Sequence, residues 1–326
     1  MKKFLKSIIL AVAMTATLIS VSSCEKPNKS GKKSIVCTTY PEYDWIMNIL
    51  GDKASNFDIT LLQNKGTDLH SYQPSVKDIT KISKADLFVY VGGESDEWVD
   101  EVLAQSVNKN QIVVNMLEVL GDKVREEEIV EGMQAEEDDE EGEDEEEIEY
   151  DEHVWLSLNN AIDVTNELCK EFSKIDNANA NFYAKNASAY TKQLADLDEE
   201  YKAVVKSAKK NTVLFGDRFP FRYLTDDYDL KYYAAFVGCS AESEASFETI
   251  IFLANKVDEL GLNAVLTIEK SDKKIAKTIV ETSKSKNQEV LEMDSLQSIT
   301  EDDIKAGRNY LSAMKKNLEV LKKALN

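Results

Sequence analysis

The chain has 326 residues, with 60 Asp and Glu against 39 Lys and Arg, a formal net charge of −21, four cysteines and only two histidines. No basic face can be assembled from this balance to offset phosphate repulsion, which excludes nucleic acid as a partner. Beyond Cys24, the cysteines Cys37, Cys169 and Cys239 are odd in number and form no CxxC pair. That pattern suits buried free thiols rather than a disulfide framework or a thiolate metal site.

Residues 1–23 read as a lipoprotein signal peptide. Lys2, Lys3 and Lys6 form a charged start, and the apolar run from Ile8 to Val21 is too short for a good membrane span. Small residues then lead directly to Cys24, as in a bacterial lipobox, so Cys24 is the expected lipidation site and residues 24–33 a polar tether. The expected location is outside the cytoplasmic membrane, lipid-anchored to its outer face or periplasmic.

The remaining residues alternate between strand and helix signals. SIVCTTY (34–40) reads as a strand, Tyr43 to Leu50 as a helix closed by Gly51, and FDITLLQ (57–63) as a second strand. Ser75 to Ser83 is a short helix, ADLFVYVGG (85–93) a buried strand, Trp98 to Val107 a helix, and QIVVNML (111–117) a strand. Residues 126–152 then carry 18 acidic residues and no Lys or Arg. Like charges at that density repel and stay solvated, so 126–150 is expected to be a disordered insertion. A helix resumes over 160–173.

From Asp176 to Lys210, apolar residues recur at steps of four and three: Tyr183, Ala187, Tyr190, Leu194, Leu197, Tyr201 and Val204. This predicts one continuous stripe on a helix of ~30 residues and ~45 Å, with Asp176 as N-cap. Such a helix suits a backbone shared by two lobes, 34–175 and 211–326; a dimeric coiled coil is the alternative. The second half repeats the α/β pattern, with strands at TVLFG (212–216), YYAAFVG (232–238), AVLTIE (264–269) and EVLEMD (289–294). Helices are expected over 219–228, 246–260, 273–285 and 303–325. The predicted fold class is α/β, two lobes of mainly parallel sheet flanked by helices.

Four side chains able to bind a cation stand at strand ends or in loops: His70, His153, Glu269 and Asp294. Ligands of open parallel sheets bind beyond the carboxyl ends of the strands. His70 and His153 are each followed two residues later by an aromatic, Tyr72 and Trp155, and imidazole is the commonest side-chain ligand of transition metals.

These segments resemble the solute-binding lipoproteins of bacterial zinc and manganese ABC importers, over nearly all of 34–325. The resemblance is carried by TTYPEYDWIMNILGDK (38–53), GTDLHSYQPSVKDITKISKADLFVYVGG (66–93), Glu97-Trp98, YDEHVWLSLNNA (150–161) and NLEVLKKAL (317–325). It implies that His70 and His153 are metal ligands of the first lobe and that Asp294 is the carboxylate near the last strand. The remaining family ligand, usually His or Glu, falls within LFGDRFPFRYLTDDYDL (214–230), where no histidine occurs. The alignment slides among Gly216, Asp217 and Arg218. Asp217 can bind a cation, whereas Arg218 could pair with a site carboxylate instead. Glu269 matches a strand-end glutamate that either binds the metal or supports a ligand.

The acidic run lies where zinc-specific relatives carry a His-rich loop, and suits either a weak cation collector or a segment with no binding role. The resemblance implies a monomeric binding protein, not an enzyme, that carries Zn2+, or alternatively Mn2+, to an ABC permease and its ATPase. A zinc hydrolase and a surface adhesin with a structural metal are readings of other classes. The hydrolase lacks an HExxH pair.

Overall fold

The computed structural model describes residues 31–134, 149–240 and 244–326. The signal segment, Cys24 and most of the acidic run lie outside the described residues. Lys33–Asn326 forms one compact unit.

Two four-stranded parallel sheets carry the fold. The first contains β1 (Lys33–Cys37), β2 (Phe57–Leu61), β3 (Leu87–Tyr90) and β4 (Ile112–Asn115) in the order β2-β1-β3-β4. The second contains β5 (Thr212–Phe219), β6 (Lys231–Val237), β7 (Ala264–Ile268) and β8 (Glu289–Met293) in the order β6-β5-β7-β8. Central strands such as β3 and β7 are buried along their whole length, which is why they read as unbroken apolar runs rather than alternating ones.

Helix α1 (Tyr40–Leu50) starts three residues earlier than the sequence signal suggested. Pro41 sits in its first turn, where no N–H is needed, and a capping box joins Thr39 and Glu42. After β4 a short helix, Met116–Leu120, appears where the sequence pattern continued the strand; the side chain of Asn115 caps it by accepting from the Glu118 N–H. Leu158–Ile175 forms a helix that leads into the long helix Ala180–Ser207, 28 residues and ~42 Å long.

The long helix is not capped by Asp176. That residue ends the preceding helix, and its carboxylate accepts from Tyr183 Oη at 2.6 Å and Asn179 Nδ2 at 2.7 Å. The apolar stripe is consumed inside the molecule rather than at a coiled-coil seam. Tyr190 Oη donates to Asp44 on α1 at 3.2 Å, and Tyr201 Oη to the Met314 carbonyl at 2.6 Å. Met314 belongs to the last helix, Tyr310–Ala324, so the long helix touches elements of both halves. Trp45 of α1 also meets Tyr310 edge-on, with ring centroids 5.4 Å apart. One continuous apolar core runs from Ile35 to Leu325.

Two further expectations need correction. The closing helix is two helices, Glu301–Lys305 and Tyr310–Ala324, because Gly307 turns the chain at φ +88° and Asn309 starts a new capping box. The acidic run also begins within the folded body. Glu126 bridges to Tyr150, Glu128 pairs with Arg222 at 2.9 Å, and the Gln134 N–H donates to the Ala235 carbonyl. Specific cationic and N–H partners offset the repulsion that composition alone implied. Residues 135–148 lie outside the described residues.

Candidate metal centre

The carboxyl ends of both sheets supply the loops around the two histidines. His70 lies in a single turn, Leu69–Ser71, after β2. The side chain of Asp68 caps this turn, accepting from the His70 N–H at 3.2 Å, and Leu69 is buried beneath it. His153 precedes the turn Val154–Leu156 and is wholly buried. Asp151 Oδ1 accepts from its backbone N–H at 2.8 Å and lies 3.0 Å from its Nδ1, which fixes backbone and ring together. The same loop is fastened to the second half: Trp155 Nε1 donates to the Ser295 carbonyl at 2.9 Å, and Tyr223 Oη to the Asp151 carbonyl at 2.7 Å.

The two imidazoles meet through their Nε2 atoms, 3.2 Å apart. Nδ1 of His70 faces Ser95 Oγ at 2.8 Å and Glu152 Oε2 at 3.4 Å. The Asp151 carboxylate accepts, so Nδ1 of His153 carries its proton, while Ser95 and Glu152 flank Nδ1 of His70 and leave its Nε2 turned toward His153. At 3.2 Å no more than one proton fits between the two Nε2 atoms. Burial and the adjacent His153 hold His70 well below the usual imidazole range. Burial also works against charge on His153, but Asp151, with Asp68 and Glu152, more than offsets it and raises its pKa. A metal cation can take the place of the proton between the two rings, with each imidazole oriented by a carboxylate on its far side.

Two glycines make this packing possible. Gly93, at φ +85°, follows β3, and a Cβ there would lie 2.4 Å from Glu152 Oε1. Gly238 follows β6, and a Cβ there would lie 2.9 Å from the Phe219 carbonyl and 3.0 Å from His153 Cε1. Glu152 itself is pushed up to about 7 by burial, while its Oε1 accepts the Ser95 N–H at 2.7 Å.

The other three candidates do not join the histidine pair. Asp217 lies within β5, not after it, at an irregularity in the strand between Phe215 and Arg218. Its Oδ1 accepts the Arg218 N–H at 2.9 Å, and its carboxyl interacts with Ser271 and the Ile268 backbone; burial raises its pKa. Arg218 pairs with Asp68 Oδ2 at 2.7 Å, the alternative foreseen for it. Glu269 accepts from the Ser295 N–H, the Ser295 hydroxyl and the Ser298 N–H at 2.6, 2.9 and 3.2 Å. Asp294 pairs with Arg308 and caps the Leu296 N–H at 2.9 Å. Both carboxylates hold the loop after β8 in shape.

A third potential ligand comes from Cys239, read from the sequence as a plain buried thiol. Its Sγ and a ring nitrogen of each histidine lie within 4.8 Å of one another, and this is the one such group of three or more among the described residues. The signal that could have found it is its place one residue beyond a glycine at the carboxyl end of a strand. Asp68, Ser95, Asp151 and Glu152 were also missed as supports. Their roles depend on which loops meet.

Comparison with known proteins gives a consistent picture. The family profile described as "Zinc-uptake complex component A periplasmic" matches residues 35–324. The chain is 32% identical over 318 residues to "Zinc-binding lipoprotein AdcA" of Streptococcus pneumoniae, covering 98% of this chain and 61% of that protein. It is 29% identical over 299 residues to "High-affinity zinc uptake system protein ZnuA" of Bacillus subtilis, covering 91% of this chain and 89% of that protein. The solved Zn(II)-bound ZnuA-like domain of Streptococcus pneumoniae AdcA superposes with a TM-score of 0.70 at 30% identity, covering 90% of this chain and 99% of that one. The metal-dependent lipoprotein YcdH of Bacillus subtilis gives 0.72 at 26% identity, with coverage of 90% and 99%. The chain thus spans about three fifths of the AdcA protein but nearly all of its ZnuA-like domain. It belongs to the family of zinc-uptake complex component A proteins.

Proposed function

We propose that this chain is an extracytoplasmic solute-binding protein that captures Zn2+ between His70 and His153 and passes it to an ABC importer. The supporting observation is the approach of the two Nε2 atoms to 3.2 Å. Two imidazoles at ~2.05 Å from a tetrahedral zinc have their nitrogens ~3.3 Å apart, so the pair needs almost no rearrangement. The names of the similar AdcA and ZnuA proteins support zinc as the cargo. Imidazole donors suit zinc better than the hard ion manganese. Export and anchoring through a lipid on Cys24, and delivery to a permease and its ATPase, complete the reading.

Metal-free protein titrated calorimetrically with zinc, then with zinc in the presence of excess manganese, tests it. One equivalent of zinc is expected to bind, and manganese is expected to compete poorly. Failure to bind zinc, or equal competition by manganese, contradicts the reading.

A further inference from the structure

We propose that Cys239 is a direct ligand of the same ion, making the site a centre of two imidazoles and one thiolate. This rests on the reading of His70 and His153 given above. The Nε2 of His153 is buried and, among the described residues, its hydrogen-bonding neighbour is the matching nitrogen of His70. The two facing Nε2 atoms, 3.2 Å apart, form a pocket for a cation, and that pocket exists independently of the thiol. Cys239 Sγ stands within 4.8 Å of a ring nitrogen on each side. A closed tetrahedral zinc site would bring nitrogen and sulfur to ~3.6 Å, so closure needs a shift of at most ~1.2 Å.

The surrounding chain holds the thiol in place from both sides. Gly238 lets the backbone cross the edge of the His153 ring, where any Cβ would collide. Glu127, at the base of the acidic run, accepts the Cys239 N–H at 3.0 Å and lies within hydrogen-bond reach of its thiol. On the far side, Arg218 Nη1 donates to the Ser240 carbonyl at 3.2 Å while its Nη2 pairs with Asp68, the residue that caps the His70 turn. Arg218 thus ties the loop bearing Cys239 to the loop bearing His70. The other described cysteines have no such setting. Cys37 is buried against the Thr60 carbonyl at 3.4 Å, and Cys169 lies on the helix Leu158–Ile175.

Coordination forms the metal–sulfur bond and releases the thiol proton, since a bound metal deprotonates its coordinating thiol. The chemical consequence is selectivity. A thiolate is a soft donor that favours zinc and disfavours manganese. The second half of the chain therefore contributes sulfur to the ion, while its strand-end carboxylates are occupied with their own loops.

Cobalt(II) reports the ligand directly, because a thiolate bound to cobalt gives an intense near-ultraviolet charge-transfer band that nitrogen and oxygen ligands do not give. Full-length metal-free protein should show this band at one equivalent of cobalt, and Cys169→Ser should keep it. Cys239→Ser should bind cobalt without the band and lose zinc affinity by at least ~100-fold, the upper end of what losing a mere supporting partner costs. Its manganese affinity should change little. Cobalt binding to the unaltered protein without the band, or unchanged zinc affinity in Cys239→Ser, overturns the inference while leaving the histidine reading standing. Absence of any cobalt or zinc binding overturns both. If Cys239→Ser does not fold, the spectrum of the unaltered protein decides.

Discussion

The two halves of the molecule treat their ionisable side chains in opposite ways. In the first half, Asp151 and Glu152 sit behind His153 and His70, so that the carboxylates orient the imidazoles and leave both Nε2 atoms facing one point. In the second half, Glu269 and Asp294 also stand at strand ends, yet they are saturated by Ser295, Ser298, Leu296 and Arg308. A carboxylate that accepts three hydrogen bonds from its own loop has little left to offer a metal. Position at a strand end is therefore insufficient; the partners decide whether a side chain supports the fold or remains available to a ligand.

The comparison is broken most severely at the histidines. Replacing either one with alanine should cut zinc affinity by at least ~100-fold, since a ligand is worth more than its supporting partners. Calorimetric titration of His70→Ala and His153→Ala checks this, with circular dichroism to confirm the fold; affinity like that of the unaltered protein in either variant removes that residue from the site.

A smaller effect is expected where the second half presses on the first. In Gly238→Ala, the added methyl would meet the Phe219 carbonyl and His153 Cε1 at 2.9 and 3.0 Å. Overpacking of this kind costs about 1–3 kcal/mol, and here part of that cost falls on the orientation of His153. Zinc affinity should drop together with the thermal midpoint. A variant that loses stability but binds zinc as before would show that the ring is free to adjust.

Glu269→Gln sharpens the contrast from the other side. The change should cost about 1–3 kcal/mol of stability, because the Ser295 and Ser298 donors lose a charged acceptor, with zinc affinity unchanged. Chemical denaturation and calorimetry on the same preparation separate the two effects. A large loss of zinc affinity with stability intact would return Glu269 to the ligand set.

Much of this organisation was legible in the sequence, and the gaps have physical causes. Every strand was placed to within a few residues; the central ones, buried on both faces, leave unbroken apolar runs, and turn residues bound the rest. The stripe from Tyr183 to Tyr201 located the long helix. Local chemistry was harder to read: Asp176 suits an N-cap by residue type, but Tyr183 and Asn179 occupy its carboxylate. The histidine segments stood out because the chain has no others. Asp217 could not be separated from Arg218, because a strand irregularity sends neighbouring residues to different partners. Cys239 carried no motif, and its significance depends on the meeting of two loops more than eighty residues apart.

A separate expected effect is one of pH. Burial pushes Glu42 up to about 8, against the hydrogen bonds it accepts from Thr39 and Thr38 and with a further upward push from Asp96. The folded state therefore holds this proton more tightly than the unfolded chain does. Its contribution to stability is fully present below the unfolded carboxyl range and is lost as pH rises toward 8. Glu42→Gln keeps a residue able to complete the capping box and should flatten that decline. Thermal midpoints at pH 5, 7 and 9 for both proteins check it; parallel curves would assign the decline to other groups.

With only two histidines in the chain, nitrogen-15 NMR of the imidazole rings tests the central claim without ambiguity. One equivalent of zinc added to metal-free protein should shift both Nε2 resonances together, while both Nδ1 atoms stay protonated against Glu152 and Asp151. If either Nε2 keeps its metal-free position at saturation, or if a Nδ1 atom takes the metal instead, the two rings do not close on the ion as the structure implies.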